Sequence, residues 1–194
     1  MLPDRLKLDL HFDPTLLQAD LQRLETGPWT RHYVPQNFDG DWSIIGLRGP
    51  ANATHPIKMI YADPVCTEFA DYPAFDVCSY IRQVVSTFQC SLRAVRLMKL
   101  SPGSRIKEHT DLDLDIDSGM VRLHIPVVTN SDVDFRLNGS RVVLAEGECW
   151  YLRLSDPHSV ANNGTSDRVH LVIDADVNDW LRDKLEHAGT TMNA

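Results

Sequence analysis

The chain has 194 residues, of which 43% are hydrophobic and 24% are charged, and its formal net charge at pH 7 is −8. This length suits one well-buried domain, and the composition is that of a globular protein without repeats or low-complexity tracts. The negative charge argues against a nucleic-acid partner, because phosphate binding needs clustered Lys and Arg side chains. We therefore expect a small molecule or a protein as the partner.

The N-terminus and the cysteines bear on where the protein works. Residues 1–7 lack the apolar core of a signal peptide, and no apolar run approaches the length of a membrane span. The cysteines stand far apart without a Cys-x-x-Cys pair, which argues against a zinc ribbon or a disulfide scaffold. They are Cys66, Cys78, Cys90 and Cys149. We expect a cytoplasmic protein with reduced thiols and no membrane contact.

The N-terminal part, 1–91, is predicted to be a mixed, helix-containing support region. After a short strand-like opening, Asp13 and Pro14 provide an N-cap and a first-turn proline for a first helix. Residues 29–59 carry short apolar clusters broken by Gly and Pro, a pattern that favours strands and loops. Apolar residues recur at helical steps over 75–88, which predicts a second helix.

From Leu92 onward the pattern changes to short β-strands separated by turns. Asn138-Gly139 is a strong signal for a tight hairpin, and 177–187 is predicted to form a closing helix. The predicted strands are 92–100, 105–109, 119–128, 133–137, 141–144, 147–154, one around Val160, and 169–173. Seven or eight such strands, with helices mostly before and after them, predict an antiparallel barrel or a two-sheet jelly roll backed by helices.

The triplet His109-Thr110-Asp111 in this β-rich part has donors suited to a metal. Alternate residues of a strand point to the same face, so His109 and Asp111 can both point inward. A third ligand must come from a neighbouring strand, and His158 follows a predicted strand. Two imidazoles and one carboxylate form the facial triad that holds Fe(II) and leaves coordination positions open. The alternative is ordinary surface or hydrogen-bonded histidines, since His-x-Asp is common by chance.

Two other kinds of site, a calcium loop and a serine hydrolase centre, do not fit the sequence. The acidic run 111–117 does not fit a calcium loop, because Ile116 stands where glycine is required and Arg122 where a bidentate glutamate belongs. Its carboxylates at Asp113, Asp115 and Asp117 are expected in a solvated loop, or else on a cationic group of a substrate. No serine lies in a Gly-x-Ser-x-Gly turn, so serine hydrolysis is unsupported.

Five blocks, in order, carry a resemblance to a known family. They are Pro102-Gly103-Ser104, Val121-Arg122-Leu123-His124-Ile125-Pro126, Glu146-Gly147-Glu148-Cys149-Trp150-Tyr151, Pro157-His158-Ser159-Val160-Ala161-Asn162-Asn163-Gly164 and Arg168-Val169-His170-Leu171-Val172-Ile173-Asp174. With His109-Thr110-Asp111 they resemble the aspartyl/asparaginyl β-hydroxylase family of Fe(II)- and 2-oxoglutarate-dependent oxygenases. The resemblance covers Leu97 to Trp180. It implies a mainly β fold with flanking helices, a double-stranded β-helix of the jelly-roll, cupin-like type.

We therefore predict a single domain over 1–194. In this division 1–91 is the support region, 92–175 is the double-stranded β-helix core, and 176–194 is a C-terminal helix and tail.

The resemblance also implies roles for individual residues. His109, Asp111 and His158 would bind iron as the catalytic centre, and Arg168 would pair with the distal carboxylate of 2-oxoglutarate through its two-donor fork.

Arg122 and His124 correspond to family residues that contact the other end of the cosubstrate or the substrate carboxylate, so both are expected to bind there. An inward-facing Arg122 would itself imply a bound carboxylate, because a buried arginine without an anionic partner is costly. The alternative is that Arg122 faces solvent.

Two positions, Asp111 and Met98, differ from the animal members of the family, and a third, His170, has two possible roles. Those members have glycine in place of the carboxylate ligand, whereas this chain has Asp111. They place a serine on the cosubstrate carboxylate where this chain has Met98, and Arg96 on the same strand face is a candidate to compensate. His170 either supports the site beside Arg168 or is a core histidine with its hydrogen bonds satisfied.

The expected activity is that of a dioxygenase using Fe(II), 2-oxoglutarate and O2. It would hydroxylate a C–H bond of an aspartyl, asparaginyl or prolyl substrate, free or peptide-linked, and release succinate and CO2. The alternative from another class is a non-catalytic, metal-binding cupin-like module that binds or senses a small carboxylate. A cupin isomerase or hydrolase using another divalent metal is a further alternative.

Overall fold

The computed structural model describes residues 2–61, 63 and 65–191, which form thirteen strands and four α-helices. The strands are β1 (Arg5–His11), β2 (Thr30–Arg31), β3 (Phe38–Asp39), β4 (Trp42–Pro50), β5 (Phe69–Asp71), β6 (Leu92–Leu100), β7 (Arg105–His109), β8 (Met120–Val128), β9 (Val133–Leu137), β10 (Ser140–Val142), β11 (Glu148–Leu152), β12 (His158–Asn162) and β13 (Arg168–Asp176). The helices are α1 (Pro14–Arg23), α2 (Pro56–Ile60), α3 (Ser79–Ser86) and α4 (Asp179–Thr191).

The strands form two antiparallel sheets in which most paired strands are distant in sequence. The larger sheet has the order β1-β11-β8-β13-β6-β4-β2, with β5 paired to β4, and the smaller sheet has the order β10-β9-β12-β7-β3. This arrangement confirms the predicted mainly β, jelly-roll architecture with flanking helices. Strands β6 to β13 are the eight strands from Leu92 onward, which confirms the predicted seven or eight. Strands β1 to β5 of the support region extend both sheets.

The larger sheet is buried on both faces, and two cores result. On β6, Val95 and Leu97 pack with the helices, whereas Met98 and Leu100 pack toward the smaller sheet, as the alternation of side chains along a strand requires. The space between the sheets also receives buried polar side chains from the larger sheet. They are Arg96, His124, Arg168, His170 and Asp174.

Helices α1 and α3 are joined by one buried carboxylate. Asp13 caps α1 as predicted, because its side chain accepts from the backbone N–H of Thr15 and Leu16. Asp20 of α1 is fully buried and accepts from the backbone N–H groups of Tyr80, at 2.8 Å, and Ile81, at 2.7 Å. It therefore caps α3 from another element.

Three segments differ from the prediction. Helix α3 is shorter than 75–88, because Pro73–Phe75 forms a separate 3-10 turn before it. Residues 56–60 form α2 rather than strand or loop, with Pro56 in its first turn and His55 accepting from the backbone N–H of Ile57. Helix α4 begins and ends later than predicted.

The predicted hairpin and free thiols agree with the structure. Asn138 and Gly139 have φ values of 51° and 72°, as a tight hairpin turn requires, and they join β9 to β10. All four cysteines are free. Within the described ranges, no helix combines the length and apolar character needed to cross a membrane.

Candidate active site

The pairing of β7 with β12 brings the two predicted histidine ligands together. His109 ends β7 directly opposite His158, which begins β12, and their ring centroids are 4.3 Å apart. Asp111 follows β7, and its backbone N–H donates to the carbonyl of Leu154 at 2.8 Å. One potential ligand atom from each of the three residues lies within 4.8 Å of the others, so the predicted triad is assembled.

Backbone carbonyls set which ring nitrogen each histidine offers. Nδ1 of His109 lies 2.8 Å from the carbonyl of Lys107, and Nδ1 of His158 lies 3.0 Å from that of Asp156. An Nδ1–H donated to a carbonyl leaves the Nε2 lone pair for a metal. Burial lowers the pKa of His158, which favours the neutral form that metals bind. The donor set therefore fits a divalent cation with open positions.

A cavity of about 160 Å³ adjoins the triad and lies between the two sheets. Its lining includes His109, Asp111, His158, His124, Arg168, Met98 and Trp42. Three of these side chains have a buried polar atom without a hydrogen-bond partner, namely Nε1 of Trp42, Nε2 of His124 and Nε of Arg168. Buried polar atoms are normally satisfied, and the Nε1–H of Trp42 and the Nε–H of Arg168 are donors, so this cavity is suited to a ligand with oxygen acceptors.

Arg168 has no carboxylate partner among the described residues. It is only 3% exposed, and burial lowers its pKa to about 9. Its Nη2 donates to Nδ1 of His170 at 2.9 Å, and its guanidinium lies 5.9 Å from the ring centre of Phe135. His170 thus supports Arg168, as one of the two predicted alternatives has it. The guanidinium remains an uncompensated cation beside the cavity.

Arg122 differs, because the chain itself supplies its anionic partners. Its Nε lies 2.6 Å and its Nη2 3.0 Å from the two carboxylate oxygens of Asp174, and its Nη1 lies 2.6 Å from Oδ2 of Asp111. Burial alone would lower the pKa of Arg122, but these carboxylates raise it. The inference that an inward-facing Arg122 implies a bound carboxylate is therefore wrong. Arg122 lies behind Asp111 and does not line the cavity.

The hypothesis that Arg96 compensates for Met98 is also wrong. Met98 lines the cavity, but Arg96 donates to the carboxylate of Asp174 and to the backbone carbonyl of Ile60, the latter at 3.1 Å.

Several residues of the site were missed in the sequence. Asp174 shares a strand face with Arg168 and His170, so alternation along β13 was a usable signal. Trp42 and His32 come from the support region, and their rings are stacked with centroids 3.7 Å apart. Burial lowers the pKa of His32 to about 4. No sequence motif marked either residue.

A second cavity, of about 450 Å³, lies on another side of Asp111. It shares Asp111 and Tyr33 with the first cavity. Its other lining residues include Tyr61, Phe69, Thr110, Asp113 and Met120. A molecule bound there would lie next to the triad.

Comparison with known proteins agrees with this arrangement. The chain is 29% identical over 167 residues to the L-proline cis-4-hydroxylase of Rhizobium meliloti (strain 1021), covering 84% of this chain and 57% of that protein. The chain thus spans little more than half the length of this relative.

Two solved structures have a similar fold at low sequence identity. A prolyl-4-hydroxylase of Pseudomonas putida is 14% identical with a TM-score of 0.53, covering 90% of this chain and 93% of that one. A 2OG-Fe(II) oxygenase family protein of Burkholderia pseudomallei is 14% identical with a TM-score of 0.52, covering 82% and 78% respectively. The model of the aspartyl/asparaginyl β-hydroxylase family matches residues 18–177. The chain therefore belongs to the aspartyl/asparaginyl β-hydroxylase family.

Proposed function

We propose that this chain is an Fe(II)- and 2-oxoglutarate-dependent dioxygenase that hydroxylates a C–H bond of an amino-acid substrate. One oxygen atom of O2 would enter the substrate and the other would enter succinate, with release of CO2. The observation that carries the proposal is the buried guanidinium of Arg168, which lacks a carboxylate partner among the described residues and lines the same cavity as the triad.

In this proposal His109, Asp111 and His158 hold Fe(II), and bound iron with 2-oxoglutarate supplies the activation of O2 that side chains cannot provide. Arg168 takes the distal carboxylate of the cosubstrate through charge-assisted hydrogen bonds. The unpartnered Nε1–H of Trp42 is a further donor for an oxygen atom of this ligand. His124 lines the same cavity and is proposed to contact the cosubstrate.

The second cavity is the proposed place for the substrate. It borders Asp111, so a C–H bond of a molecule bound there would lie close to the metal ligands. The name of the Rhizobium relative supports a prolyl substrate among the aspartyl, asparaginyl and prolyl possibilities. The four free thiols support work in the cytoplasm, where cysteines stay reduced.

The test is a screen of free amino acids and short peptides with the purified chain, Fe(II), 2-oxoglutarate and air. We expect one substrate class, with proline in the first panel, to raise succinate formation above the substrate-free level and to gain a hydroxyl group. His158→Ala should abolish this stimulation, since it removes a ligand.

The screen also distinguishes the two alternatives. A metal-binding module would bind 2-oxoglutarate without forming succinate with any member of the panel. An isomerase or hydrolase would turn over its substrate equally well under argon. Either result would replace the oxygenase proposal.

A further inference from the structure

Four charged side chains of alternating sign form a connected network that extends from Asp111 into the larger sheet. Asp111 accepts from Nη1 of Arg122 at 2.6 Å. Arg122 donates to the carboxylate of Asp174 from its Nε, at 2.6 Å, and from its Nη2, at 3.0 Å. Asp174 also accepts from Arg96, which donates its other Nη to the carbonyl of Ile60 at 3.1 Å.

The strand register of the larger sheet places Arg122 and Asp174 of this network side by side. Arg122 on β8 and Asp174 on β13 are directly paired residues, so the bidentate contact joins neighbouring strands. Asp111 belongs instead to the loop that follows β7 of the smaller sheet. Arg122 therefore ties this loop to the opposite sheet.

The contact with Arg122 also selects the oxygen that Asp111 presents to the site. Oδ2 accepts from Arg122, whereas Oδ1 lies 3.7 Å from Nε2 of His109. A guanidinium held on one edge by Asp174 has its remaining Nη1 directed at a fixed point. Oδ1 is thereby left as the oxygen available to a metal.

The charges of these four side chains cancel one another. Arg96 and Asp174 are 3% and 1% exposed, and Arg122 is largely buried. Two cations face two carboxylates, so Arg122 does not need an external anion to be buried here.

We propose that Asp174 is a positioning residue for the metal ligand Asp111 and that it acts through Arg122. The inference rests on the proposed function, in which Asp111 binds the metal. Asp174 orients Arg122, Arg122 holds Oδ2 of Asp111, and the carboxylate offers one oxygen to the cation. Partners of this kind commonly change metal affinity by about tenfold to 100-fold when removed.

The experiment is a double-mutant cycle read out by Co(II) affinity, measured by calorimetry on the full metal-free chain. Asp174→Asn should weaken Co(II) binding by about tenfold or more. In an Asp111→Ala background the same substitution should have no further effect, because the group through which it acts is absent. A merely structural role would weaken binding equally in both backgrounds.

Asp176→Asn is the matched control. Asp176 lies on the same strand β13 and pairs with Arg93 of β6 at 2.6 Å, so the control also breaks an aspartate–arginine pair between these strands. Among the described residues Asp176 makes no hydrogen bond or ion pair with Asp111, so the control should leave Co(II) affinity unchanged. Should Asp174→Asn not fold, Arg122→Gln repeats the cycle while the pair between Arg96 and Asp174 is kept.

The outcomes separate this inference from the proposed function. If Asp174→Asn lowers Co(II) affinity equally in both backgrounds, or in neither, the proposed role of Asp174 is wrong. The oxygenase proposal would still stand in that case, provided that the unaltered chain binds Co(II) and 2-oxoglutarate. If the unaltered chain binds no Co(II), both fail.

Discussion

Arg168 and Arg122 are both largely buried, but only Arg122 has carboxylate partners among the described residues. Arg122 has carboxylate partners in Asp111 and Asp174, whereas Arg168 has a neutral imidazole, His170, as its hydrogen-bond partner. A buried cation without an anion is costly in the free protein, and a bound carboxylate relieves that cost. The difference assigns the task of cosubstrate binding to Arg168 in our proposal.

Replacing Arg168 tests this assignment. Arg168→Met removes the guanidinium and keeps an unbranched apolar stem, and we expect 2-oxoglutarate affinity to fall by about 100-fold, which is about 3 kcal/mol for lost charge-assisted hydrogen bonds. Titration of the Co(II)-loaded chain with 2-oxoglutarate measures the loss. Arg136→Met, at an exposed arginine of β9, is the control. Equal affinities for both variants would contradict the assignment.

Asp111 is the one carboxylate among the three proposed metal ligands, and its Oδ2 accepts from Arg122. We expect Asp111→Gly to weaken metal binding by about tenfold or more, because a charged ligand and its contact with Arg122 are both lost. Calorimetry with Co(II) measures the change. An unchanged affinity would show that the two histidines suffice here.

The residues of the site divide according to what the sequence could predict. His109, Asp111, His158 and Arg168 were predicted from their spacing and the resemblance, and the structure brings them to one cavity. The partners of Arg122 were not predicted, because the contact with Asp174 depends on the register between β8 and β13. Register between strands distant in sequence cannot be read from the alternation within either strand.

At the scale of elements, α1 and α3 depend on each other through Asp20. The first N–H groups of a helix have no partner within the helix, and in α3 that of Ile81 is buried and that of Tyr80 partly buried. Asp20 supplies the acceptor for two of them. Helices α1 and α3 of the support region are therefore held together by this polar contact as well as by apolar packing.

We expect Asp20→Ala to lower the free energy of unfolding by about 3 kcal/mol, since buried N–H groups lose their acceptor. Asp13→Ala, at the exposed cap of α1, should cost only about 1 kcal/mol. Urea denaturation of both variants measures the two losses. If Asp20→Ala cost no more than Asp13→Ala, the buried cap would contribute nothing beyond an ordinary one.

The strands of 92–176 were well predicted, whereas α2 and the start of α3 were not. Bounds such as 92–100, 105–109 and 133–137 follow from alternation and turn residues, which act locally. The start of α3 depends on Asp20 in another helix, and α2 is a five-residue helix too short for a clear period. Tertiary contacts decide such elements.

For the whole molecule, buried neutral histidines link stability to pH. Burial lowers the pKa of both His124 and His170 well below 6.5. The unfolded chain takes up these protons below about pH 6.5 while the folded chain does not, so the free energy of unfolding falls as the pH is lowered. The stability contributed is complete above that pH and is lost progressively below it.

We expect each of these histidines to lower the free energy of unfolding of the metal-free protein by about 1.4 kcal/mol as the pH falls from about 7.5 to about 5.5. Urea denaturation at the two pH values measures the loss, and His124→Asn should reduce it by about that amount. An unaltered pH dependence in His124→Asn would mean that His124 is not held neutral.

The central claim is that one cavity joins an iron triad to a 2-oxoglutarate site. Anaerobic addition of 2-oxoglutarate to the Fe(II)-loaded chain tests it directly, because chelation of Fe(II) by the cosubstrate gives a visible metal-to-ligand charge-transfer absorption. We predict this absorption for the unaltered chain, its loss in His158→Ala, and a shift of its formation to higher 2-oxoglutarate concentration in Arg168→Met. Absence of the absorption in the unaltered chain, or its full retention in His158→Ala, would contradict the account.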